Sequence, residues 1–220
     1  MGPEYHKIQT VFLRDPETDF KTLLHGRWSK PEFAYLANLP WTLTEKVDGT
    51  NVRIGLRTQS NGGSKVGGKT DNATLHPDLL ERCYEIASRA DESLAGLTLY
   101  GEGYGAGIQK GGGLYRQTKD FVLFDVWSAA GEMWLERTNV EDIAIKLGLD
   151  IVPVVGTTSL AGAISLVQSG GFASAWPGVS PEGLVMRPTI ELRNRRGERV
   201  ITKLKTRDFA TAVTAIETTA

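Results

Sequence analysis

The sequence predicts an α+β fold built on antiparallel sheet, and three observations carry the prediction. Short apolar–polar alternations at 41–45 and 52–56 read as half-buried strands, and further strand-like runs lie at 97–102 and 182–186. Turn signals such as Asp48-Gly49 and Ala130-Gly131 lie between neighbouring runs, where hairpins place them. The helical segments are set apart from the strands and do not follow each one in turn, which argues against a parallel, doubly wound sheet.

Taken in order, residues 7–12 form a short strand. Ser29 followed by Pro31 and Glu32 reads as a capping-box start, and Phe33, Leu36 and Ala37 give that helix an apolar face. Trp41 and Leu43 alternate with Thr42 and Thr44, and Val52, Ile54 and Leu56 resume the alternation beyond Asp48-Gly49. These two runs are expected to pair as a hairpin, with Lys46 at a strand end beside its turn. Residues 77–90 form a helix with Leu79, Leu80, Cys83, Ile86, Ala87 and Ala90 on one face. Residues 97–102 form a strand ending on Glu102, which opens into a glycine-rich run over 103–113. So much glycine beside a strand-end carboxylate suggests backbone packed against a ligand; the plainer alternative is a surface loop.

Residues 121–126 read as a buried strand with a hairpin partner at 133–135. A helix over 138–147 takes Thr138 and Glu141 as its capping box, and another runs over 159–168. Residues 182–186 form a strand that starts on a carboxylate. Residues 199–205 form one that puts Lys203 and Lys205 on a single face by period two. Thr206 caps a last helix with Phe209, Val213 and Ile216 facing inward.

Composition sets bounds on function. The 220 residues, 40% of them apolar, can bury a sizeable core, and the net charge of −1 does not by itself demand a polyanionic partner. Distribution says more: from Arg187 to Arg207 eight Lys and Arg face two Glu. That run is either a solvated charged hairpin or a phosphate-facing strand pair. The one cysteine, Cys83, excludes an internal disulfide and fits a reducing compartment. The three histidines show no metal-ligand spacing. No apolar signal region and no membrane-length run is present, so the expected location is the cytoplasm.

Two motifs compete for a phosphate. Gly63 to Thr70 satisfies the P-loop pattern G-x-x-x-x-G-K-T, and residues 121–125 could pass as the strand ending in a Walker-B aspartate. A P-loop leaves a parallel strand and opens directly into a helix. Here Arg57-Thr58-Gln59 precedes the pattern, and the next helix waits until Pro77. The other candidate is Lys46, in Glu45-Lys46-Val47-Asp48-Gly49-Thr50-Asn51. A lysine attacks only as the neutral amine, and neighbouring cations or desolvation can lower its pKa.

Lys46-Val47-Asp48-Gly49 is followed in order by Tyr100-Gly101-Glu102-Gly103, Phe124-Asp125, Glu182-Gly183-Leu184-Val185 and Lys203-Leu204-Lys205. The ordered set resembles the nucleotidyltransferase motifs of covalent polynucleotide ligases and capping enzymes. It is most similar to the small phage-type RNA ligases of the RNA ligase 2 family. The resemblance implies one antiparallel adenylyltransferase domain over residues 1–220 with no separate C-terminal domain, because 15 residues follow Lys205. It implies an ATP-dependent RNA ligase, acting in RNA repair through a lysyl-adenylate and an adenylylated 5′ end, with ATP and Mg²⁺ or Mn²⁺ as cofactors.

Position by position, the resemblance makes Lys46 the nucleophile and places Lys203 and Lys205 on the α-phosphate. Glu45 would help read adenine, Asn51 and Glu102 would lie near ribose and phosphate, and Phe124 would stack on adenine with Val185 on its other face. Glu182 would help bind the metal. Lys69 stands where relatives often have arginine and would touch the polynucleotide, without arginine's bidentate grip. The expected partners are RNA ends or nicks, with a partner protein lending substrate grip; the chain is expected to be a monomer and, if phage-encoded, to act in the host cytoplasm. An ATP-dependent DNA ligase, a GTP-using capping-type enzyme, a P-loop NTPase and a non-catalytic nucleic-acid-binding module are the alternatives.

Overall fold

The computed structural model describes residues 1–57 and 62–209. Along the chain lie β1 (Gln9–Thr10), β2 (Phe12–Arg14), β3 (Leu23–Trp28), α1 (Pro31–Tyr35), β4 (Trp41–Glu45), β5 (Thr50–Gly55) and β6 (Lys65–Gly68). These are followed by α2 (Pro77–Ser88), β7 (Leu97–Tyr104), α3 (Gly112–Tyr115), β8 (Asp120–Ser128), β9 (Met133–Trp134) and α4 (Arg137–Leu147). The last are β10 (Asp150–Ile151), β11 (Val154–Thr158), α5 (Leu160–Gln168), β12 (Gly183–Pro188) and β13 (Thr202–Lys205). They form two compact units: Met1–His6 with Val47–Val152, and Lys7–Lys46 with the chain from Pro153 onward.

In the first unit a sheet runs β10-β8-β7-β5-β6, with β9 paired to β8. One face is covered by α2 and α4. Val52, Ile54, Leu99, Phe121, Leu123 and Val126 of the strands pack against Leu79, Cys83, Ile86 and Val140 of the helices. Two glycines of β7 let this face close: a side chain at Gly101 would strike the Phe121 ring, and one at Gly103 would strike Leu79. Burial pushes the Cys83 thiol up to about 12, so it behaves as a small core residue.

In the second unit the sheet runs β1-β13-β12-β4-β11, and β2 pairs with β3. Trp41 and Leu43 of β4, Leu184 and Met186 of β12 and Leu204 of β13 face Leu160, Ala163 and Val167 of α5. The predicted alternation holds here. Trp41, Leu43 and Glu45 are buried while Thr42 and Thr44 are half-buried. Pairing is antiparallel except for β1 with β13 and β10 with β8.

Several expectations change. The runs flanking Asp48-Gly49 do not form a hairpin: both edges of β4 are taken, by β11 and β12, and β5 pairs with β6 and β7. Glu102 lies inside β7, which runs on to Tyr104. Neither capping box forms. α1 is preceded by Lys30 and α4 by Glu136, without side-chain caps. Ser29 instead donates to the Thr10 carbonyl, and Glu141 accepts from Arg137. Thr206 opens a single 3-10 turn, Thr206–Asp208, and Phe209 is buried; the rest of the expected last helix lies outside the described residues. No helix among the described residues is long and apolar enough to cross a membrane.

The P-loop reading fails on topology. Lys65–Gly68 is a strand antiparallel to β5, and β8, the supposed Walker-B strand, is antiparallel to β7. The next helix starts at Pro77.

Gly183 has φ 152°, and a Cβ there would collide with the Leu204 carbonyl oxygen. Gly156, on β11 of the same sheet, has open space around its Cβ position. Gly183→Ala should therefore lower unfolding free energy by ~1–3 kcal/mol, while Gly156→Ala stays near wild type. Urea melts check this, and equal midpoints for the two variants would refute the constraint.

Candidate active site

The lysines are organised by the register of β4, β12 and β13. Val185 lies opposite Thr44 on one side and Lys203 on the other. One step along, Gly183 lies opposite Lys205, and its carbonyl accepts the Lys46 N–H at 2.9 Å. Side chains alternate between faces along each strand, so Lys46, Lys203 and Lys205 share the face opposite α5. Gly183 has no side chain, so the row between Lys46 and Lys205 stays open.

Glu182 fills that opening. Lys46 Nζ donates to its Oε2 at 2.6 Å, and Lys205 Nζ donates to its Oε1 at 2.8 Å. Its own carbonyl is held by the Thr206 N–H at 2.9 Å. Burial pushes the Glu182 carboxyl up, but Lys46 and Lys205 together hold it below its ordinary value. Lys203 is lowered to about 8, first by burial and then by the positive charges of Lys205 and Lys46.

Glu45, expected near adenine, is held by two contacts inside the second unit. It is 1% exposed, the Ser174 hydroxyl donates to its Oε1 at 2.5 Å, and the Ala175 N–H donates to its Oε2 at 2.8 Å. The carboxylate thus ties residues 174–175 to the residue before Lys46. Val185 is half-buried on the lysine face.

In the first unit, Asn51 and Glu102 are cross-strand partners on β5 and β7. Asn51 Oδ1 is buried and accepts no hydrogen bond among the described residues, an unusual state for a buried acceptor and one that a ligand donor would relieve. The β7–β8 register jumps at Tyr100/Gly101, where Tyr100 pairs with Asp125 and Gly101 with Leu123. Phe124 is the extra residue, and such a bulge re-aims a side chain. Leu123 and Val126 both stay in the core, so the bulge turns Phe124 as well as Asp125 away from it. Tyr5 meets the Phe124 ring edge-on, centroids 5.1 Å apart, and donates to Asp125 Oδ2 at 2.8 Å.

Sequence reasoning missed Tyr5, because only the fold joins residues 120 positions apart. It also missed Arg53, which is 1% exposed and donates to the Gly68 carbonyl at 2.8 Å and to Asp71 at 2.7 Å. That pair fixes the turn carrying Lys69, which is exposed. The glycine-rich run is a braced loop. Gln109 donates to the Gly49 carbonyl at 3.0 Å, and the Tyr115 hydroxyl accepts the Asp48 N–H at 3.2 Å.

Residues 39–205, a span holding all of these lysines, match the RNA ligase family. The chain belongs to the RNA ligase family. Solved structures agree in fold. A mutant of Naegleria gruberi RNA ligase with ATP and Mn is 16% identical with TM-score 0.66, covering 95% of this chain and 57% of that one. Naegleria gruberi RNA ligase with PPi is 19% identical with TM-score 0.59, covering 84% and 55%. A further mutant of it with AMP and Mn is 18% identical with TM-score 0.58, covering 83% and 54%. This RNA ligase family member thus spans little more than half the length of those neighbours. Comparison with curated proteins returns no match.

Lys203 yields a signed pH effect. Its pKa is 10.5 in the unfolded chain and about 8 in the folded one. Across that window the unfolded chain holds the proton and the folded chain does not, so this group's contribution to stability rises with pH. Below pH 8 its half-buried ammonium costs stability. Lys203→Met should be more stable than wild type at pH 7, and the gap should narrow towards pH 10. A gap that does not change with pH, read from denaturant midpoints, would contradict the placement.

Proposed function

We propose that the chain is the adenylyltransferase domain of an ATP-dependent RNA ligase, joining 3′-hydroxyl and 5′-phosphate ends. The observation that carries this reading is the convergence of Lys46 and Lys205 on Glu182, with Lys203 on the same sheet face, in a chain of the RNA ligase family. Naegleria gruberi RNA ligase structures with ATP, AMP, PPi and Mn support ATP as the nucleotide and a divalent ion as its companion.

The chemistry follows from the charges. Lys46 Nζ attacks the α-phosphorus; an N–P bond forms and the bond to pyrophosphate breaks. Lys46 must first shed its proton to solvent, because only the neutral amine is a nucleophile, and Glu182 Oε2 holds its Nζ in place. Lys203 and Lys205 neutralise the charge that builds on the phosphoryl oxygens, where preorganised cations act most strongly. Asn51, with its buried unused oxygen, and Glu102 are assigned to the ribose, and Phe124 and Val185 to the adenine faces. Glu45 acts as a positioning residue for the strand end carrying Lys46.

A divalent ion fits this donor set only with help from substrate. Among the described residues no group of three or more His, Cys, Asp or Glu could hold a metal. Glu182 would share the ion with triphosphate oxygens, as Mg²⁺ sites commonly do, and the ion would neutralise phosphate charge. The chemical steps that follow are transfer of AMP to a 5′-phosphate and attack by a 3′-hydroxyl. The lone Cys83 fits action in a reducing compartment such as the cytoplasm, on RNA ends or nicks, with grip lent by a partner protein.

Incubation with ATP and Mg²⁺ should raise the protein mass by one AMP, on Lys46, through an acid-labile bond. Glu182→Ala and Lys205→Ala should each slow this step by ~100-fold or more while leaving the fold intact. An adduct that persists in Lys46→Ala ends the assignment.

Lys69→Ala tests the nucleic-acid assignment separately. Self-adenylylation should remain near wild type, while AMP transfer to a 5′-phosphorylated RNA falls, and falls further as salt rises. A variant unable to form the adenylate would move Lys69 to the nucleotide.

A further inference from the structure

The basic run from Arg187 to Arg207 is divided by the fold. Lys203 and Lys205 belong to the sheet face described above. Three of its arginines lie elsewhere, on the turn of a hairpin joined by the Arg193–Arg199 bridge. That turn is closely braced. Asn194 N–H donates to the Glu198 carbonyl at 2.8 Å, and Gly197 N–H donates to the Asn194 carbonyl at 2.9 Å. Asn194 Oδ1 accepts the N–H groups of Arg196 and Glu198 at 2.9 and 3.0 Å. Gly197 supplies the positive φ of 77° that closes the turn.

The nearby carboxylates are already occupied. Glu191 is paired with Arg199, which is buried. Glu198 accepts from Asn194 Nδ2 at 2.9 Å and from Lys30 Nζ at 3.2 Å. Arg193, Arg195 and Arg196 are exposed, and among the described residues none of the three forms a salt bridge to a carboxylate. Arg193 lies across the turn with Nη1 3.5 Å from the Gly197 carbonyl. The Glu198 carboxyl is held below its ordinary value, first by the Asn194 and Lys30 hydrogen bonds and also, without a direct ion pair, by the charge of Arg196. Segment 193–198 therefore presents three exposed guanidinium groups, none in a salt bridge, on backbone that is already fixed, and it contains no apolar side chain.

We propose that this arginine-tipped turn is a second binding site, for the sugar–phosphate backbone of the nucleic-acid substrate. Guanidinium groups match phosphate oxygens bidentately, and a preformed turn loses little freedom on binding. The absence of an apolar anchor fits a polyanion better than a protein surface, whose binding energy centres on buried aromatic and aliphatic groups. The site rests on the ligase reading for its substrate but uses none of the residues given to the nucleotide. It reads charge and spacing, so it binds without regard to base sequence.

The test uses the full chain, wild type and Arg195→Ala/Arg196→Ala, with a labelled 5′-phosphorylated RNA whose affinity is followed by anisotropy from 50 to 300 mM NaCl. Two lost phosphate contacts should reduce the slope of log K against log salt by about 1.5, and affinity at 0.1 M salt by roughly ten- to thirtyfold. Arg195→Lys/Arg196→Lys should keep the slope, because it keeps the charges. Formation of the Lys46 adenylate from ATP should match wild type in both variants, which also shows that the fold is intact. An unchanged slope in the alanine variant overturns the proposal. So does equal binding of poly-glutamate in place of RNA, which would make the turn a protein-docking element. A wild type that binds RNA with this slope yet forms no adenylate would overturn the ligase reading and leave the site standing. A wild type that binds no RNA overturns both.

Discussion

Lys46 and Lys205 share one carboxylate, and much of the second unit serves to let them do so. The two ammonium groups repel each other, and Glu182 offsets that repulsion with one oxygen for each. The arrangement requires a central strand with no side chain between the two lysines, which is Gly183, and a backbone path that only glycine follows easily there. It also requires strands in fixed register, which the opposite face supplies through Trp41, Leu43, Leu184, Met186 and Leu204 packed against α5. Slippage by one residue would send the lysines into that core, so apolar burial on one face sets the chemistry of the other. Under the proposed function, a nucleotide phosphate would meet lysines whose charges Glu182 already holds in position, so little reorganisation would be needed.

The first unit meets a related demand by a different device. A regular β8 would give either Phe124 or Asp125 to the core, because successive side chains alternate. The one-residue bulge beside Tyr100/Gly101 lets Leu123 and Val126 both stay in the core, and Phe124 and Asp125 both leave it. The half-buried Phe124 ring is then met edge-on by Tyr5, whose hydroxyl is anchored on Asp125. The N-terminal segment is bound along the same strands. Gly2 N–H donates to Thr98, and Tyr100 donates to the Pro3 carbonyl.

How much of this was legible in the sequence follows the range of the interactions. Period-two alternation found β4 and placed Lys203 and Lys205 on one face of β13, because that information is local. The spacing of Leu79, Cys83 and Ile86 found α2 for the same reason. Pairing was not local. Asp48-Gly49 has the composition of a hairpin turn, but the edges of β4 were claimed by strands more than a hundred residues away and next to it in space. The capping boxes failed because Ser29 and Glu141 found better partners in Thr10 and Arg137. Glu45 stands beside Lys46 in sequence, and its place in the alternation with Trp41 and Leu43 already assigned it to the buried face. Tyr5, Arg53 and the Ser174–Ala175 contact gave no sequence signal, since each acts through a partner brought near by the fold.

The division of the basic run into lysines and arginines has a physical consequence. Lys203 is half-buried, and burial with the charges of Lys205 and Lys46 lowers it to about 8, so under the proposed function the charge it offers a nucleotide phosphate would vary within the range where enzymes work. The turn at 193–196 carries its charge on exposed guanidinium groups instead. An exposed guanidinium is screened readily by salt, and a lysine partly removed from water is screened much less. Under the two proposals, grip at the turn would therefore weaken with ionic strength sooner than phosphate recognition at the sheet. Had these basic residues lain on one surface, that difference in screening would be lost.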